Sequence, residues 1–184
     1  MSNNSTVCGV EHARLLDNGL RRMLFNPHKQ FAEYIKPGDT VLDIGCGPGT
    51  FIADLAKLIG SNGKIIAIDL QEEMLELAKK KARAKGVSDK VKFHKCQSDS
   101  LAIALQADFI LTMYMVHEAP EPLTLIDQVC ALLKPNGYYY LSEPKFHVKK
   151  EPFLEIIERC KNNGLNIVKE SGIFSRTAVF QKII

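Results

Sequence analysis

The feature that most restricts the fold of this chain is a regular alternation of short apolar runs with helical patterns. Three of the runs are nearly continuous, which is typical of strands covered on both faces. Between them, apolar residues recur every three or four positions, as on a helix with one buried face. The strand-like runs are TVLDI (40–44), KIIAID (64–69), VKFHKC (91–96), ADFILTM (107–113) and YYYLS (138–142), and the helical stripes begin at Phe51, Met74, Leu123 and Phe153.

This alternation predicts a doubly wound α/β fold, because parallel strands need helical crossovers between them. The third helical stripe is expected to end in a KPNG turn at 134–137, and the fourth in NNG at 162–164. Two further strand-like runs, LNIVKE and TAVFQKII, lie so close together that a hairpin is favoured over a crossover. The sequence therefore predicts a mostly parallel seven-stranded sheet with a C-terminal antiparallel hairpin strand.

The 184 residues are expected to form a single domain, 1–184, since no linker or repeat divides them. Residues 1–10 are expected to be a flexible tail. Residues 11–36 are expected to form N-terminal helices, broken at Asn26-Pro27, that cover the carboxyl edge of the sheet. No apolar run approaches the roughly 18–20 residues of a membrane span, and the N-terminus lacks a secretory signal. We therefore expect no membrane partner and a cytoplasmic protein.

Charge and cysteine content argue against several other classes of protein. Lys and Arg number 24 against 21 Asp and Glu, and so small an excess gives no reason to expect a nucleic-acid partner. The KKKARAK run at 79–85 is interpreted as a solvated helix end. The five cysteines are scattered without a CxxC pair, which disfavours a disulfide framework or a zinc site and fits a reducing compartment. No metal site is predicted.

The segment VLDIGCGPGT (41–50) carries the most specific chemical signal. A P-loop needs a lysine followed by Ser or Thr after its glycines, and Thr50 and Phe51 stand there instead. The third glycine of a dinucleotide fingerprint would fall at Thr50, but it comes one residue early, at Gly49. Pro48 also removes a backbone N–H that would cradle a phosphate. The segment therefore disfavours a ligand bound through phosphate, and with it a nicotinamide dehydrogenase.

Two acidic residues favour a cationic nucleoside instead. Asp43 precedes the glycines, where a carboxylate would repel a phosphate but attract a cation. Asp69 ends the next strand, a position suited to accept hydrogen bonds from both ribose hydroxyls. A ribose-binding acid, a second acid beside the glycines and no phosphate-binding residues together indicate S-adenosylmethionine.

Four motifs follow one another along the chain: VLDIGCGPGT (41–50), IIAIDLQEEML (65–75), YMVHEAP (114–120) and LLKPNGYYYLSEP (132–144). In this order they resemble the motifs of class I S-adenosylmethionine-dependent methyltransferases, over about residues 30–183. The N-terminal CGVEHARLLDNGLRRMLFNP is similar to the leader of a small bacterial and archaeal branch of these enzymes. The resemblance implies a Rossmann-like methyltransferase fold with S-adenosyl-L-methionine as cofactor.

The resemblance also implies which residues bind the cofactor. Asp69 would hold the ribose, and Leu70 would lie against the adenine face. Where the family usually has an acid for the adenine amino group, this chain has Gln97, followed by Ser98 and Asp99, so Gln97 or Asp99 is expected to make that contact. The remaining predicted contacts are Thr112 with Met113, closing over the cofactor after the fourth strand, and, around its methionine part, Asp43, Gly45, Cys46, Gly47 and Gly49.

The predicted catalytic residues are His117, Glu118 and Tyr114, which follow the fourth strand. His117 is a candidate general base, and the alternative is a structural histidine that hydrogen-bonds a neighbouring loop. Glu118 is expected to accept a proton, to position a cationic acceptor or to cap a helix before Pro120. Further candidates for the acceptor pocket are Glu143, Lys145 and His147 after the fifth strand and, on the N-terminal helices, Arg14, Asp17, Arg21, Arg22 and Phe25.

The predicted function is methyl transfer from S-adenosylmethionine to a small-molecule acceptor by in-line displacement, in which alignment of the reactants does most of the work. A base is needed only if the acceptor arrives protonated. The alternatives are methylation of RNA or protein, and a non-catalytic, cofactor-binding partner subunit. A monomer or a homodimer is expected.

Overall fold

The computed structural model of the protein describes residues 26–183. They belong to two compact units, one that ends at Cys96 and one that begins at Gln97. Within the described range, no helix has both the length and the apolar character needed to cross a lipid bilayer. The tail predicted at 1–10 and the helix predicted at 11–25 lie outside the described residues.

The first unit contains three parallel strands in its described part. Its elements are α1 (Pro27–Phe31), β1 (Thr40–Ile44), α2 (Ile52–Leu58), β2 (Lys64–Asp69), α3 (Glu72–Ala84), a 3-10 turn (Ser88–Lys90) and β3 (Val91–Lys95). The strand β2 pairs with β1 on one side and with β3 on the other. Since all three run in the same direction, β1 and β2 end at one edge of the sheet, with Ile44 opposite Ile68.

Local sequence explains these elements. Every residue of β1 and β2 after the first is buried, as their continuous apolar runs predict. The helix α3 buries one stripe and carries acids in its first turn and basic residues in its last, which suits the helix dipole. The short helix α1 begins at Pro27, and the side chain of Asn26 accepts a hydrogen bond from the N–H of Lys29 (3.1 Å). The helix predicted at 28–35 thus starts near the expected place but ends at Phe31.

The second unit contains one parallel and two antiparallel strand pairs in its described part. Its elements are β4 (Ala107–Met113), a 3-10 turn (Val116–Glu118), α4 (Pro122–Leu132), β5 (Leu133–Pro144), α5 (Lys150–Asn162), β6 (Leu165–Ser171) and β7 (Ser175–Lys182). The strands β4 and β5 are parallel, while β7 is antiparallel to both β5 and β6. Because of these directions, the turn between β6 and β7 lies at the edge where β5 ends, with Pro144 opposite Ser175.

The KPNG segment does not form a separate turn between helix and strand, so this boundary prediction is wrong. The strand β5 begins at Leu133, which pairs with Ala107, and its next pair joins Tyr138 to Phe109. Residues 134–137 therefore bulge out of the ladder without ending it. Asn136 takes a φ of 63° there, a conformation that asparagine tolerates better than most residues.

The seven strands form one sheet in the order β3-β2-β1-β4-β5-β7-β6. Within each unit the strand pairs are parallel except those that β7 makes with β5 and β6, which confirms the predicted mostly parallel sheet with its C-terminal antiparallel hairpin strand. The predicted strands are confirmed, with their ends moved by a few residues and β5 extended toward the helix before it.

Candidate functional site

The turn between β1 and α2 contains three glycines in the left-handed region. Gly45, Gly47 and Gly49 have φ values of 69°, 52° and 77°, which residues with a side chain rarely adopt. A Cβ atom at Gly49 would lie 3.1 Å from Cα of Ala78, so glycine there lets α3 pack against the turn. Among the described residues, a Cβ atom at Gly47 would meet no atom within 4 Å. The backbone at Gly47 therefore borders open space in which a ligand can approach it.

Asp69, at the end of β2, fixes the conformation of this glycine turn. Its carboxylate accepts hydrogen bonds from the N–H of Gly47 (2.8 Å) and the N–H of Gln71 (3.0 Å). Burial raises the pKa of Asp69, and these backbone donors offset part of that rise. A carboxylate has about four acceptor positions, so Asp69 can hold the turn and still accept hydrogen bonds from a ligand.

Asp43 is a buried acid without a balancing partner among the described residues. It is 2% exposed, and its Oδ2 atom makes no hydrogen bond within residues 26–183. Burial, helped by the negative charge of Asp69, raises the pKa of Asp43 to about 7. Desolvating an unpaired carboxylate is costly, and a cation brought close to it would remove most of that cost. Asp43 and Asp69 therefore form a site that favours a positively charged ligand.

Cys46 lies inside the glycine turn as an inert thiol. It is buried, and its Sγ–H points to the carbonyl of Gly47 at 3.6 Å. Burial, followed by the charges of Asp43 and Asp69, raises the pKa of Cys46 well above its ordinary value. The thiolate needed for nucleophilic or metal chemistry is thus disfavoured, and the side chain of Cys46 serves as packing.

The residues predicted to contact adenine lie in an exposed loop at the start of the second unit. Gln97, Ser98 and Asp99 are exposed, and the N–H of Gln97 donates to the carbonyl of Ser100 (2.9 Å). The side chain of Gln128 holds this loop, because it donates to the carbonyl of Asp99 (2.9 Å) and accepts from the N–H of Leu101 (2.8 Å). The sequence pattern does not reveal Gln128, since it belongs to a helix that is distant along the chain. The adenine contact of Gln97 or Asp99 stays a prediction.

The side chain of Thr112 is fully buried, and its hydroxyl shares a 2.8 Å hydrogen bond with that of Tyr139. Tyr139 is itself fully buried on the neighbouring strand β5. The side chain of Thr112 therefore belongs to the core, because alternate residues of a strand face opposite sides of the sheet. The contact of Thr112 to the cofactor stays a prediction.

Tyr114 marks a strained point just after β4. It has a φ of 60°, an uncommon value for an aromatic residue, and its N–H donates to the carbonyl of Ser142 (2.8 Å). Strain of this kind costs about 1–3 kcal/mol and tends to occur at functional sites. The chain turns sharply here and leads into the 3-10 turn that carries His117 and Glu118.

A buried carboxylate, Glu143, holds that 3-10 turn from β5. Glu143 is fully buried, and its Oε1 accepts a hydrogen bond from the N–H of Val116 (2.9 Å). Its Oε2 makes a short contact to Nδ1 of His117. His117 is thus hydrogen-bonded to a neighbouring element, as expected of a structural histidine. This bond involves only its Nδ1 atom. With a proton on Nδ1 facing the carboxylate, the lone pair of the ring lies on Nε2.

Two acids surround the His117 ring. Burial alone would lower the pKa of His117, but the hydrogen bond to Glu143 and the charges of Glu143 and Glu118 outweigh it and raise the pKa. Glu118 lies 4.0 Å from Nε2, close enough to stabilise a protonated ring. The suggested helix-capping role of Glu118 is wrong, because the N-cap of α4 is Glu121. Its roles toward a proton or a cationic acceptor stay predictions.

The residues after β5 continue this cluster outward. The ring of His147 stacks on His117 with centroids 5.6 Å apart, and the ring of Phe146 lies 4.8 Å from His147. Lys145, also expected in the acceptor pocket, instead donates through Nζ to the carbonyls of Gly172 (2.9 Å) and Ile173 (3.0 Å). The predicted acceptor contacts Arg14, Asp17, Arg21, Arg22 and Phe25 lie outside the described residues.

A family model described as a methyltransferase domain matches residues 35–180. Among curated proteins, a demethylmenaquinone methyltransferase of Lactobacillus johnsonii is 30% identical over 65% of this chain and 48% of its own. A ubiquinone biosynthesis O-methyltransferase of Actinobacillus pleuropneumoniae is 33% identical over 57% of this chain and 45% of its own. The chain thus spans about half the length of these curated relatives.

A solved structure matches the fold over almost the whole chain. It is a SAM dependent methyltransferase from Aquifex aeolicus, 27% identical, with a TM-score of 0.83. The match covers 96% of this chain and 100% of that one.

Proposed function

Because this chain belongs to the class I S-adenosylmethionine-dependent methyltransferases, we propose that it transfers a methyl group from S-adenosylmethionine to a small molecule that gives up a proton. His117 takes that proton. One observation carries this proposal: the fully buried Glu143 holds Nδ1 of His117 and leaves Nε2 to act as a base.

The cofactor site lies in the first unit. S-adenosylmethionine supplies, when bound, a methyl group on a positively charged sulfur. The residues present suit it, because Asp43 is buried with an unpartnered oxygen and Asp69 retains acceptor capacity beyond the glycine turn. We propose that Asp69 holds the ribose, that Asp43 balances the positive charge, and that the backbone from Gly45 to Gly49 lies along the methionine part. The contacts proposed for Cys46, Leu70, Gln97 and Ser98 are as predicted from the sequence.

The chemistry of the acceptor is assigned to the second unit. The Nε2 atom of His117 takes the proton from the methyl-accepting molecule, while the Nδ1–H of His117 remains hydrogen-bonded to Glu143. The positive charge that forms on the ring is stabilised by Glu143 and by Glu118. A positioned base of this kind contributes about 10²–10⁴-fold to a rate. Tyr114, which lies between β4 and the 3-10 turn, is proposed to line the acceptor pocket.

The relatives support a quinone-like, aromatic acceptor. One is named for demethylmenaquinone and another for ubiquinone biosynthesis. The net charge of +3 also favours a small molecule over RNA, since retention of RNA depends on many phosphate contacts.

The test is a turnover assay with S-adenosylmethionine and a panel of hydroquinones, phenols, amines and thiols. Turnover is measured as the S-adenosylhomocysteine released. We expect turnover with a hydroxylated aromatic compound, and kcat/KM that rises with pH until His117 is neutral. His117→Gln should lower kcat by about 10²–10⁴-fold and leave cofactor binding intact. Turnover by His117→Gln at the wild-type rate and with the wild-type pH profile would contradict the proposed base.

A further inference from the structure

Three large apolar side chains are exposed together at the edge of the second unit where β5 ends. Phe146 is 81% exposed, Ile173 83% and Phe174 72%. Phe146 follows β5, whereas Ile173 and Phe174 lie in the turn between β6 and β7. The two segments are adjacent, because the N–H of Lys145 donates to the carbonyl of Phe174 (3.2 Å). We call these three residues the apolar tip.

The apolar tip is held in place by a turn with specific hydrogen bonds. The ammonium group of Lys145 donates to the carbonyls of Gly172 and Ile173, at 2.9 and 3.0 Å. Gly172 has a φ of 120°, and a Cβ atom there would come within 2.2 Å of the carbonyl oxygen of Ser175. The chain therefore maintains a specific turn that keeps Ile173 and Phe174 in water. A clustered apolar display of this kind marks a surface that meets an apolar partner.

Lysines flank Phe146 along the chain, and two of them occupy positions where local helix stability disfavours a positive charge. Lys149 is the N-cap residue of α5 and Lys150 is its first residue, at the positive end of the helix dipole. Glu151 offsets only part of this charge, and Lys145, Lys149 and Lys150 are all exposed. Apolar side chains flanked by lysines complement a surface that is apolar inside and anionic outside. A symmetric contact between two copies of the chain would bring these lysines together, and their positive charges would repel. The lysines therefore favour an anionic lipid surface over a second copy as the partner.

We propose that the apolar tip, together with Lys145, Lys149 and Lys150, docks this protein on the surface of a bilayer that contains anionic lipids. The benefit rests on the proposed function, because Phe146 connects through the stacked ring of His147 to His117. An apolar acceptor dissolved in the bilayer would reach the base directly from the lipid. The expectation of no membrane partner rested on the lack of a span and of a secretory signal, and a peripheral contact needs neither.

The test is sedimentation of the full chain with vesicles of phosphatidylcholine, with and without phosphatidylserine. We expect binding to the anionic vesicles only, weakened about fivefold for each of Lys149→Gln and Lys150→Gln. Ile173→Ser and Phe146→Ser should each weaken it at least tenfold. The matched controls are Ile183→Ser, which changes a 56% exposed isoleucine just beyond the far end of β7, and Lys80→Gln on α3. Both controls should bind like the wild type.

Three results would overturn the docking proposal: equal binding to neutral and anionic vesicles, wild-type binding by Ile173→Ser, or a dimer in light scattering that Ile173→Ser converts to a monomer. Turnover of a water-soluble acceptor is measured on the same variants. Loss of vesicle binding with turnover retained in Ile173→Ser would support docking as a separate property. A wild type that binds vesicles but turns over no acceptor would refute the proposed function and leave docking in place.

Discussion

Burial of the Asp43 carboxyl group has a cost in stability that a cationic ligand, as proposed, would offset. This carboxyl is buried beside Asp69 and has an unpartnered oxygen among the described residues. In the free protein this arrangement favours the protonated acid, because the charged form is neither solvated nor paired. A cation bound nearby would favour the charged form instead. Under the proposed function, the charge of the cofactor is therefore linked to the protonation of Asp43.

Asp43 should make the free protein less stable as the pH rises. Its folded pKa, about 7, lies above the unfolded value near 3.8, so the native state binds more protons between these values. The contribution of Asp43 is fully present below pH 4 and is lost progressively up to pH 7, by about 4 kcal/mol in total. Urea unfolding between pH 4 and 7 should show this decline, and Asp43→Asn should flatten it.

The control for this pH series is Asp127→Asn. The side-chain hydrogen bond from Arg159 lowers the pKa of Asp127, so its stabilising effect is lost only as the pH falls below the unfolded value. Asp127→Asn should therefore keep the decline between pH 4 and 7. An Asp43→Asn protein with the full wild-type slope would show that Asp43 is already ionised in the free protein.

At the scale of elements, the site depends on contacts that tie one element to the next. Gly49 lets α3 approach the turn after β1, and Asp69 joins that turn to the end of β2. In the second unit, Glu143 at the end of β5 orders the 3-10 turn after β4. Because Asp69 and Glu143 belong to strands in the core of each unit, the two turns that they hold are fixed more firmly than free loops would be.

Gly49→Ala should damage the first unit more than the same change at Gly86. Both glycines have a positive φ, 77° and 66°, so alanine costs about 1–2 kcal/mol of backbone strain at either position. At Gly49 the new methyl group would also crowd Ala78, which adds about 1–3 kcal/mol. At Gly86 it would meet no described atom within 4 Å. Chemical denaturation of both variants measures the difference, and equal losses would show that the close approach of α3 is unimportant.

Glu143→Gln should inactivate the base while keeping the contact to Val116. The amide oxygen can still accept the N–H of Val116, but the amide NH₂ then faces Nδ1 of His117. The ring must shift its proton to Nε2, and we expect kcat to fall by about 10²–10⁴-fold. Loss of the carboxylate also lowers the pKa of His117, because its hydrogen bond and charge raise it. Titration of the His117 ring by NMR should show that shift, and an unchanged pKa would contradict the pairing.

For the whole molecule, the sequence predicts the sheet well because buried strands require recognisable runs of apolar residues. The runs at β1, β2 and β4 are apolar almost throughout. The glycines in 45–49 indicate a turn whose positive φ angles other residues rarely adopt. The bulge at 134–137 escapes prediction because helix and strand meet at Leu133 without a break. From the local sequence alone, KPNG predicts a turn that ends the preceding helix.

The candidate site is predicted less completely, because its decisive contacts join residues far apart in the chain. Glu143 looks like a strand-end acid until its side chain is seen to hold His117, which lies 26 residues earlier. The hydrogen bond between Thr112 and Tyr139 is a similar case, because these two residues lie on neighbouring strands and are far apart in the sequence. Glycines and acids with a fixed local role are predictable, whereas side-chain partners across strands need the fold.

The most direct test is calorimetric titration of the full chain with S-adenosylmethionine, for the wild type, Asp69→Ala and the exposed control Asp89→Ala. Asp69→Ala removes the proposed ribose contacts and the hydrogen bond that fixes Gly47, so binding should weaken at least about a hundredfold, since hydrogen bonds to a charged group contribute about 1.5–3 kcal/mol each. The wild type and Asp89→Ala should bind alike. No binding by the wild type, or equal binding by Asp69→Ala, would contradict a cofactor held between the glycine turn and the end of β2.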